Sequence, residues 1–254
     1  MENCSNSFII NQNKRAFIPE SKYAELEGYI NTASKFDEIT FIAAYLFDFY
    51  KHQCLYASRK TKFICGLSPE EIMKLGYSFI DKYVPMSDQK KLIEFSKVTF
   101  NFIDTKLNPE ERNHFFTMCD FHINNGKYFS LVHQKFSPLV LSDDGKVWIA
   151  LSLLNLSSQK VSGNMELHIE GGKSFWKYSL VDHQWSELSY KRLTFQESRV
   201  LQLSIKGMTT GDIAKNMHLS KDTVKFHKHN IFMKCGTNNI AGAYAYTMEH
   251  QLLF

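Results

Sequence analysis

Between Leu193 and Asn239 the chain carries a closely spaced series of residues that start and stop helices. Thr194 is an N-cap before Phe195-Gln196-Glu197, and Lys206-Gly207 closes that segment with glycine where a positive φ is needed. Val200, Leu201, Ser204 and Ile205 form its expected buried side. Thr209 or Thr210 caps a second helix, Gly211 to Met217, with Ile213 and Ala214 facing inward. The small Ala214 side chain lets a neighbouring helix cross closely. After the His218-Leu219 turn, Ser220 caps a third helix, Lys221 to Cys235. Two helices joined by so short a turn make a helix-turn-helix, a motif whose second helix enters the DNA major groove.

Charge follows this division. The formal net charge of the 254 residues is +4. Nine Lys/Arg against four acids give residues 191–254 a net +5, which leaves −1 for residues 1–190. At about 150 residues per domain the length predicts two compact units. With 44% hydrophobic and 22% charged residues, the composition excludes a mostly disordered chain. Met1 to Phe17 lacks the apolar run of a signal peptide. The longest nearly uncharged apolar stretch, Val147 to Leu156, is far short of the roughly 18–20 residues that span a bilayer. Five scattered cysteines without C-x-x-C suggest neither a disulfide framework nor a zinc ribbon, and a reducing, cytoplasmic setting is expected.

A helical wheel on Lys221–Cys235 separates two faces. With Val224 at the centre of the core side, Ile231 and Cys235 fall beside it. Asp222, Phe226, His229 and Met233 lie opposite, and Lys225 sits on a flank. Phe226 on an outward face suits a thymine methyl, Lys225 can donate to guanine O6/N7, and His229 can meet base edges. Thr209, Ser220, Lys221, Thr223 and Lys228 are the expected phosphate contacts, which fix register without reading sequence. A basic helix face alone is more often a solvated surface; the capped grammar and the wheel favour DNA. The last helix, Ile240 to Leu253, carries Ile240, Tyr244, Met248 and Leu252 four apart, a stripe expected to pack on this unit.

Residues 1–190 show a different pattern. Ser21 to Phe36 reads as an amphipathic helix through Tyr23, Leu26, Ile30 and Ala33, packed on the next domain or forming a dimer. Thr40–Phe49 and Gln53–Ala57 read as strands around a Lys51-His52 turn. Lys60 to Leu75 is helical, with a start at Ser68-Pro69-Glu70-Glu71, and Asp88 to Lys106 is a longer helix. Asn125-Gly126 and Asp144-Gly145 predict type I′ hairpins joining Phe115–Ile123, Lys127–Leu139 and Lys146–Leu156. Gly171-Gly172 joins Met165–Ile169 to Ser174–Tyr178.

Catalytic and metal chemistry is not indicated. Cys119 and His122 would point to opposite faces of a strand, and His227 and His229 are 200° apart on their helix, so no metal site is predicted. Gly171-Gly172-Lys173 lacks the rest of a phosphate loop, and no G-x-S-x-G occurs. Cys65 reads as a small core residue, and His114 and His133 as surface or strand residues. No catalytic residue and no cofactor is assigned.

Two resemblances emerge. The order strand, strand, short helices, long helix, three strands, from about Asp37 to Ser158, resembles the PAS domain. Its landmarks are Leu55-Tyr56-Ala57-Ser58, Cys65 to Glu71, Val84 to Asp88, Asn125 to Tyr128 and Asp144 to Trp148. Gly76-Tyr77-Ser78-Phe79 lacks the cysteine that follows in flavin-adduct PAS domains, so that photochemistry is not expected. The C-terminal stretch resembles the LuxR/GerE-type DNA-binding domain of bacterial regulators. It does so through Leu193-Thr194, Glu197, Val200-Leu201, Gly207-Met208-Thr209, Asp212-Ile213-Ala214, Leu219-Ser220, Thr223-Val224-Lys225, His227, Ile231 and Lys234. Cys235, Asp212 and Asn239 depart from that pattern, and the last departure removes an expected phosphate contact.

The resulting expectation is an α+β chain: a PAS-like antiparallel sheet with flanking helices, then a small all-α four-helix helix-turn-helix domain. The divisions are 1–36, an N-terminal segment; 37–158, a sensor; 159–190, a hairpin and connector anchored by Trp176 and Trp185; and 191–254, the DNA-binding domain. The PAS interior is either a solid aromatic core or a cavity for an unknown small-molecule ligand lined by Phe47, Phe63, Tyr77, Phe79, Phe95, Phe102 and Trp148. The LuxR resemblance implies double-stranded, palindromic DNA, a homodimer with contacts at Tyr244 and Met248, and RNA polymerase as a further partner. The alternative is a PAS-based interaction module whose protein partner supplies the signal.

Overall fold

The computed structural model describes residues 15–250 and Leu252. The expectations for Met1 to Lys14, Cys4 included, and for Leu253 lie outside the described residues. The chain divides between Leu188 and Ser189 into two compact units.

The first unit is built on one eight-stranded sheet. Its strands are β1 (Ala43–Asp48), β2 (Gln53–Ala57), β3 (Phe115–Asn124), β4 (Phe129–Leu141), β5 (Val147–Leu156), β6 (Met165–Ile169), β7 (Ser174–Ser179) and β8 (Gln184–Ser189), in the order β2-β1-β5-β4-β3-β6-β7-β8. Pairings from β2 through β7 are antiparallel. The first five strands and the helices between them follow the PAS-like order. The expected hairpin of Met165–Ile169 with Ser174–Tyr178 is present as β6 and β7; it extends the sheet past β3, and β8 was not foreseen.

The helices are α1 (Leu26–Ile39), preceded by a 3-10 turn at Glu20–Glu25, then α2 (Thr61–Cys65), α3 (Pro69–Leu75), α4 (Ser78–Tyr83) and α5 (Met86–Lys106). The helical stretch from Lys60, expected to hold a new start at Ser68, breaks at Gly66, with φ +78°. A Cβ there would come within 2.9 Å of the Asn125 carbonyl oxygen, so both backbone conformation and close approach require glycine. Ser68 and Glu71 complete the predicted capping box of α3, with Pro69 at its first position.

Neither glycine hairpin is type I′, which needs positive φ at both central residues. At Asn125-Gly126 only the glycine has positive φ, +89°. The Asn125 side-chain oxygen accepts from the Lys127 and Tyr128 N–H groups, both at 3.1 Å, closing a wider loop that delays β4 to Phe129. At Ser142 to Gly145 the Gly145 N–H donates to the Ser142 carbonyl at 2.8 Å, and again only glycine is left-handed.

The long helix α5 begins at Met86, so Asp88 lies in its first turn and is buried. Its carboxylate accepts from the His122 N–H and ring Nδ1, both at 2.8 Å, from Ser162 Oγ at 2.7 Å and from Lys91 Nζ at 3.1 Å. One carboxylate thus ties the helix to β3 and to the loop after β5. Buried charges need such partners.

The second unit holds α6 (Phe195–Ile205), α7 (Thr210–Met217), α8 (Lys221–Cys235) and α9 (Ile240–Glu249). Its core is Val200, Leu201, Leu203, Ile213, Ala214, Val224, Ile231, Cys235 and Ala243. Ile205, expected inside, is the last residue of α6 and is 42% exposed; Leu203 takes the inner place. α9 ends at Glu249; Ile240 and Leu252 of its expected stripe pack inward, and the middle of the stripe is corrected. Steps of four residues drift by about 40° each around a helix with 3.6 residues per turn. Ala243 and Thr247 are therefore buried beside Ile240, whereas Tyr244 and Met248 are exposed.

Candidate functional site

All four helices of the second unit start on a side-chain cap. Thr194 Oγ1 accepts from the Glu197 N–H while Glu197 accepts from the Thr194 N–H at 2.7 Å. Thr209 and Asp212 make the same reciprocal box, so Thr209 rather than Thr210 is the cap. Ser220 Oγ accepts from the Thr223 N–H at 3.0 Å, and the two hydroxyls meet at 2.8 Å. Asn239 caps α9 through the Gly242 N–H at 2.8 Å, which gives that departure from the LuxR pattern a structural role.

Glu197 is buried, and Lys234 Nζ lies 2.6 Å from its carboxylate. Burial alone would push this carboxyl up; the bonds from Lys234 and Thr194 outweigh it and hold it below its ordinary value. α8 is thereby fastened to the start of α6. The turn before α8 passes through His218 at φ +53°, and the Leu219 N–H donates back to the Ala214 carbonyl at 2.9 Å.

With Val224, Ile231 and Cys235 buried, the opposite face of α8 is open. Phe226 is 61% exposed and Met233 65% exposed; Asp222, Lys225 and His229 are exposed beside them. Lys225 Nζ lies 3.0 Å from Asp222 Oδ1, a pairing the sequence reading did not consider. Of the expected phosphate contacts, Thr209, Ser220 and Lys221 are exposed, while Thr223 and Lys228 are half-buried. Lys228 Nζ donates to Thr210 Oγ1 at 3.3 Å, so the starts of α7 and the middle of α8 share one polar patch. The side chain of Gly211 would come 3.5 Å from Lys221 if it had a Cβ, which puts that lysine against the same helix start.

The first unit holds a partly open cavity of about 210 Å³ between the sheet and the helices α3 to α5. Of the residues named from the sequence, Phe47, Tyr77, Phe79 and Phe95 line it. Three expected lining residues do not. Phe63 is 67% exposed, because Thr61, Ile64 and Cys65 occupy the buried side of α2. Phe102 packs on Trp176 and Trp185, with ring centroids 5.3 and 5.2 Å away, since β7 and β8 bring these tryptophans onto α5. Trp148 is the extra residue where the β4–β5 register slips, Val140 facing Ile149 and Leu141 facing Val147. It packs edge-on to Tyr23 instead, with centroids 5.3 Å apart. The wall also includes Tyr45, Thr99, Gln134 and Ser152, which the sequence reading missed. Their alternation with apolar neighbours carries no signal that a space lies in front of them. Cys54, Cys65 and Cys119 are buried thiols, and burial pushes Cys54 up to about 12.

Residues 191–247 match the sequence profile of the family described as bacterial regulatory proteins, luxR family. The Fimbriae Z protein of Salmonella typhimurium is 38% identical over 61 residues, covering 24% of this chain and 29% of that protein. Among solved structures, the phage VqmA–DPO complex aligns at 14% identity over 89% of each chain, with a TM-score of 0.34. The Vibrio cholerae VqmA dimer aligns at 16% identity over 88% of each, with a TM-score of 0.35. The PAS domain of a protein from Colwellia psychrerythraea aligns at 9% identity over 52% of this chain and 99% of its own, with a TM-score of 0.38. Superpositions this loose assign neither ligand nor partner. The capped four-helix geometry and the profile match agree on the same residues: the C-terminal unit is a LuxR/GerE-type helix-turn-helix domain.

Proposed function

We propose that the chain is a sequence-specific DNA-binding transcription regulator, with residues 191–254 as reader and a PAS-like sensor of a small ligand within residues 37–158. The supporting observation is the outward face of α8, where Phe226 and Met233 are exposed among polar and basic side chains. Lys225, Phe226 and His229 meet base edges, while Thr209, Ser220, Lys221, Thr223 and Lys228 meet phosphates. A homodimer using the exposed Tyr244 and Met248 would read two half-sites roughly 10 base pairs apart in a palindromic site. RNA polymerase is the partner such a bound dimer would engage. The cavity supports ligand rather than protein sensing, and a ligand acts only by binding the DNA-competent and DNA-incompetent arrangements with different free energies.

The test is selection of bound sequences from a random duplex pool by the full chain. Ala at Lys225, Phe226 or His229 is expected to relax preference at one position each, by about 1–3 kcal/mol per lost base contact. Unchanged selectivity in all three would refute the assignment. Lys221→Ala or Lys228→Ala should weaken binding to every sequence and lower the salt slope by about one unit.

A further inference from the structure

The cavity wall contains hydrogen-bonding groups that its own fold does not use. The hydroxyl oxygens of Tyr45, Tyr77 and Thr99 are buried and have no hydrogen-bond partner among the described residues, although they come from three different places: β1, the α3–α4 link and α5. Gln134 differs, since its Nε2 donates to Ser152 Oγ at 3.1 Å and its Oε1 accepts from Cys119 Sγ at 3.5 Å. Native interiors leave few such groups unmatched, because each costs more buried alone than paired.

Charge and size narrow what could match them. No lining side chain among the described residues is charged; the Arg15 guanidinium stands behind the wall, 5.1 Å from the Phe49 ring centroid, with its Nη1 donating to the Phe49 carbonyl, so an ionic group entering here would lose its hydration without a charged side chain in the wall to meet it. Burial pushes both tyrosine hydroxyls above their ordinary range, so at neutral pH they are neutral donors. About 210 Å³ exceeds the roughly 150 Å³ cavity that holds benzene and falls below the roughly 300 Å³ at which drug-sized pockets begin. The rings of Phe47 and Tyr77, with centroids 4.2 Å apart, offer aromatic faces and edges.

We propose that this cavity binds an uncharged molecule the size of one substituted ring, through hydrogen bonds to the hydroxyls of Tyr45, Tyr77 and Thr99. The inference rests on the ligand-sensing reading above and specifies its chemistry. Three probes of equal non-hydrogen atom count test it on the full chain by calorimetric titration: benzamide, benzoate and isopropylbenzene. Benzamide is expected to bind about tenfold more tightly than isopropylbenzene and at least tenfold more tightly than benzoate, as one or two hydrogen bonds to neutral groups provide. The triple variant Tyr45→Phe/Tyr77→Phe/Thr99→Val keeps the cavity shape and should erase the preference over isopropylbenzene. Because it removes unmatched hydroxyls, its melting temperature should equal or exceed that of the parent, which separates loss of binding from loss of fold. If benzoate or isopropylbenzene binds as well as benzamide, or the preference survives the triple variant, the assigned chemistry is wrong while a ligand cavity stands. If none of the three saturates at millimolar concentration, the ligand-sensing reading falls with it.

Discussion

Among the described residues, each helix of the C-terminal unit starts on a side-chain cap, whereas in the N-terminal unit only α3 does. The small unit relies on contacts between residues three apart and one aliphatic core. The large unit relies on pairings between distant strands and on carboxylates such as Asp88 that reach across elements. Its interior is also interrupted by a cavity with unmatched hydroxyls, while the C-terminal core is made of closely packed aliphatic side chains. The C-terminal unit is thus specified locally; the other unit retains space and polar groups in its interior.

Four experiments break or sharpen this contrast. The largest effect is expected from Ile213→Ala, which truncates a fully buried side chain and should cost about 3 kcal/mol. Hydrogen exchange should show lost protection in α6 to α8 and unchanged protection in β3 to β5; equal loss in both would contradict separate cores. Next comes Asp88. Burial alone would raise its carboxyl, but the bonds from Ser162, His122 and Lys91 prevail and hold it at about 2, below the ordinary 3.8. Because the folded value is the lower one, its contribution is complete above pH 4 and is lost as pH falls toward 2. Asp88→Asn should cost about 2 kcal/mol at neutral pH and flatten the acid dependence of the denaturant midpoint. A variant with the parent's acid profile would remove Asp88 from the account.

Ser220→Ala should cost about 1 kcal/mol, read as faster exchange at the Thr223 amide and weaker DNA binding with unchanged sequence preference. The smallest effect is expected at Phe63→Ser, within about 0.5 kcal/mol, with probe binding in the cavity unaltered. A larger loss would mean that Phe63 is part of the aromatic interior after all.

The same contrast explains what could be read from the sequence. Thr194, Ser220 and the core stripe of α8 interact with residues a turn or two away, so their roles follow from spacing alone. Ser68, Gln53–Ala57 and the long helix were legible for the same reason. The cavity was legible only in part. Whether Phe95 or Phe102 faces it depends on where β7 and β8 place Trp176 and Trp185, far along the chain. Trp148 is turned from the cavity into a separate buried cluster with Ile18 and Leu26 by a register slip that no periodicity announces. The turn conformations also escaped, since Asn125 uses its side chain where a left-handed backbone was expected.

One consequence concerns the end of the sheet. Because β6 to β8 extend it instead of closing it, β8 is an edge strand whose backbone could template a strand from another chain. All of its residues except Trp185 are exposed, and Glu187 stands in its middle, accepting from Ser174 Oγ at 2.5 Å. The opposite edge, β2, is flanked by α3. A short strand with a carboxylate in its middle is a poor template for stacking, and such a polar edge is a guard against edge-to-edge association. Replacing Glu187 with valine would remove that guard without touching the cavity or the reader.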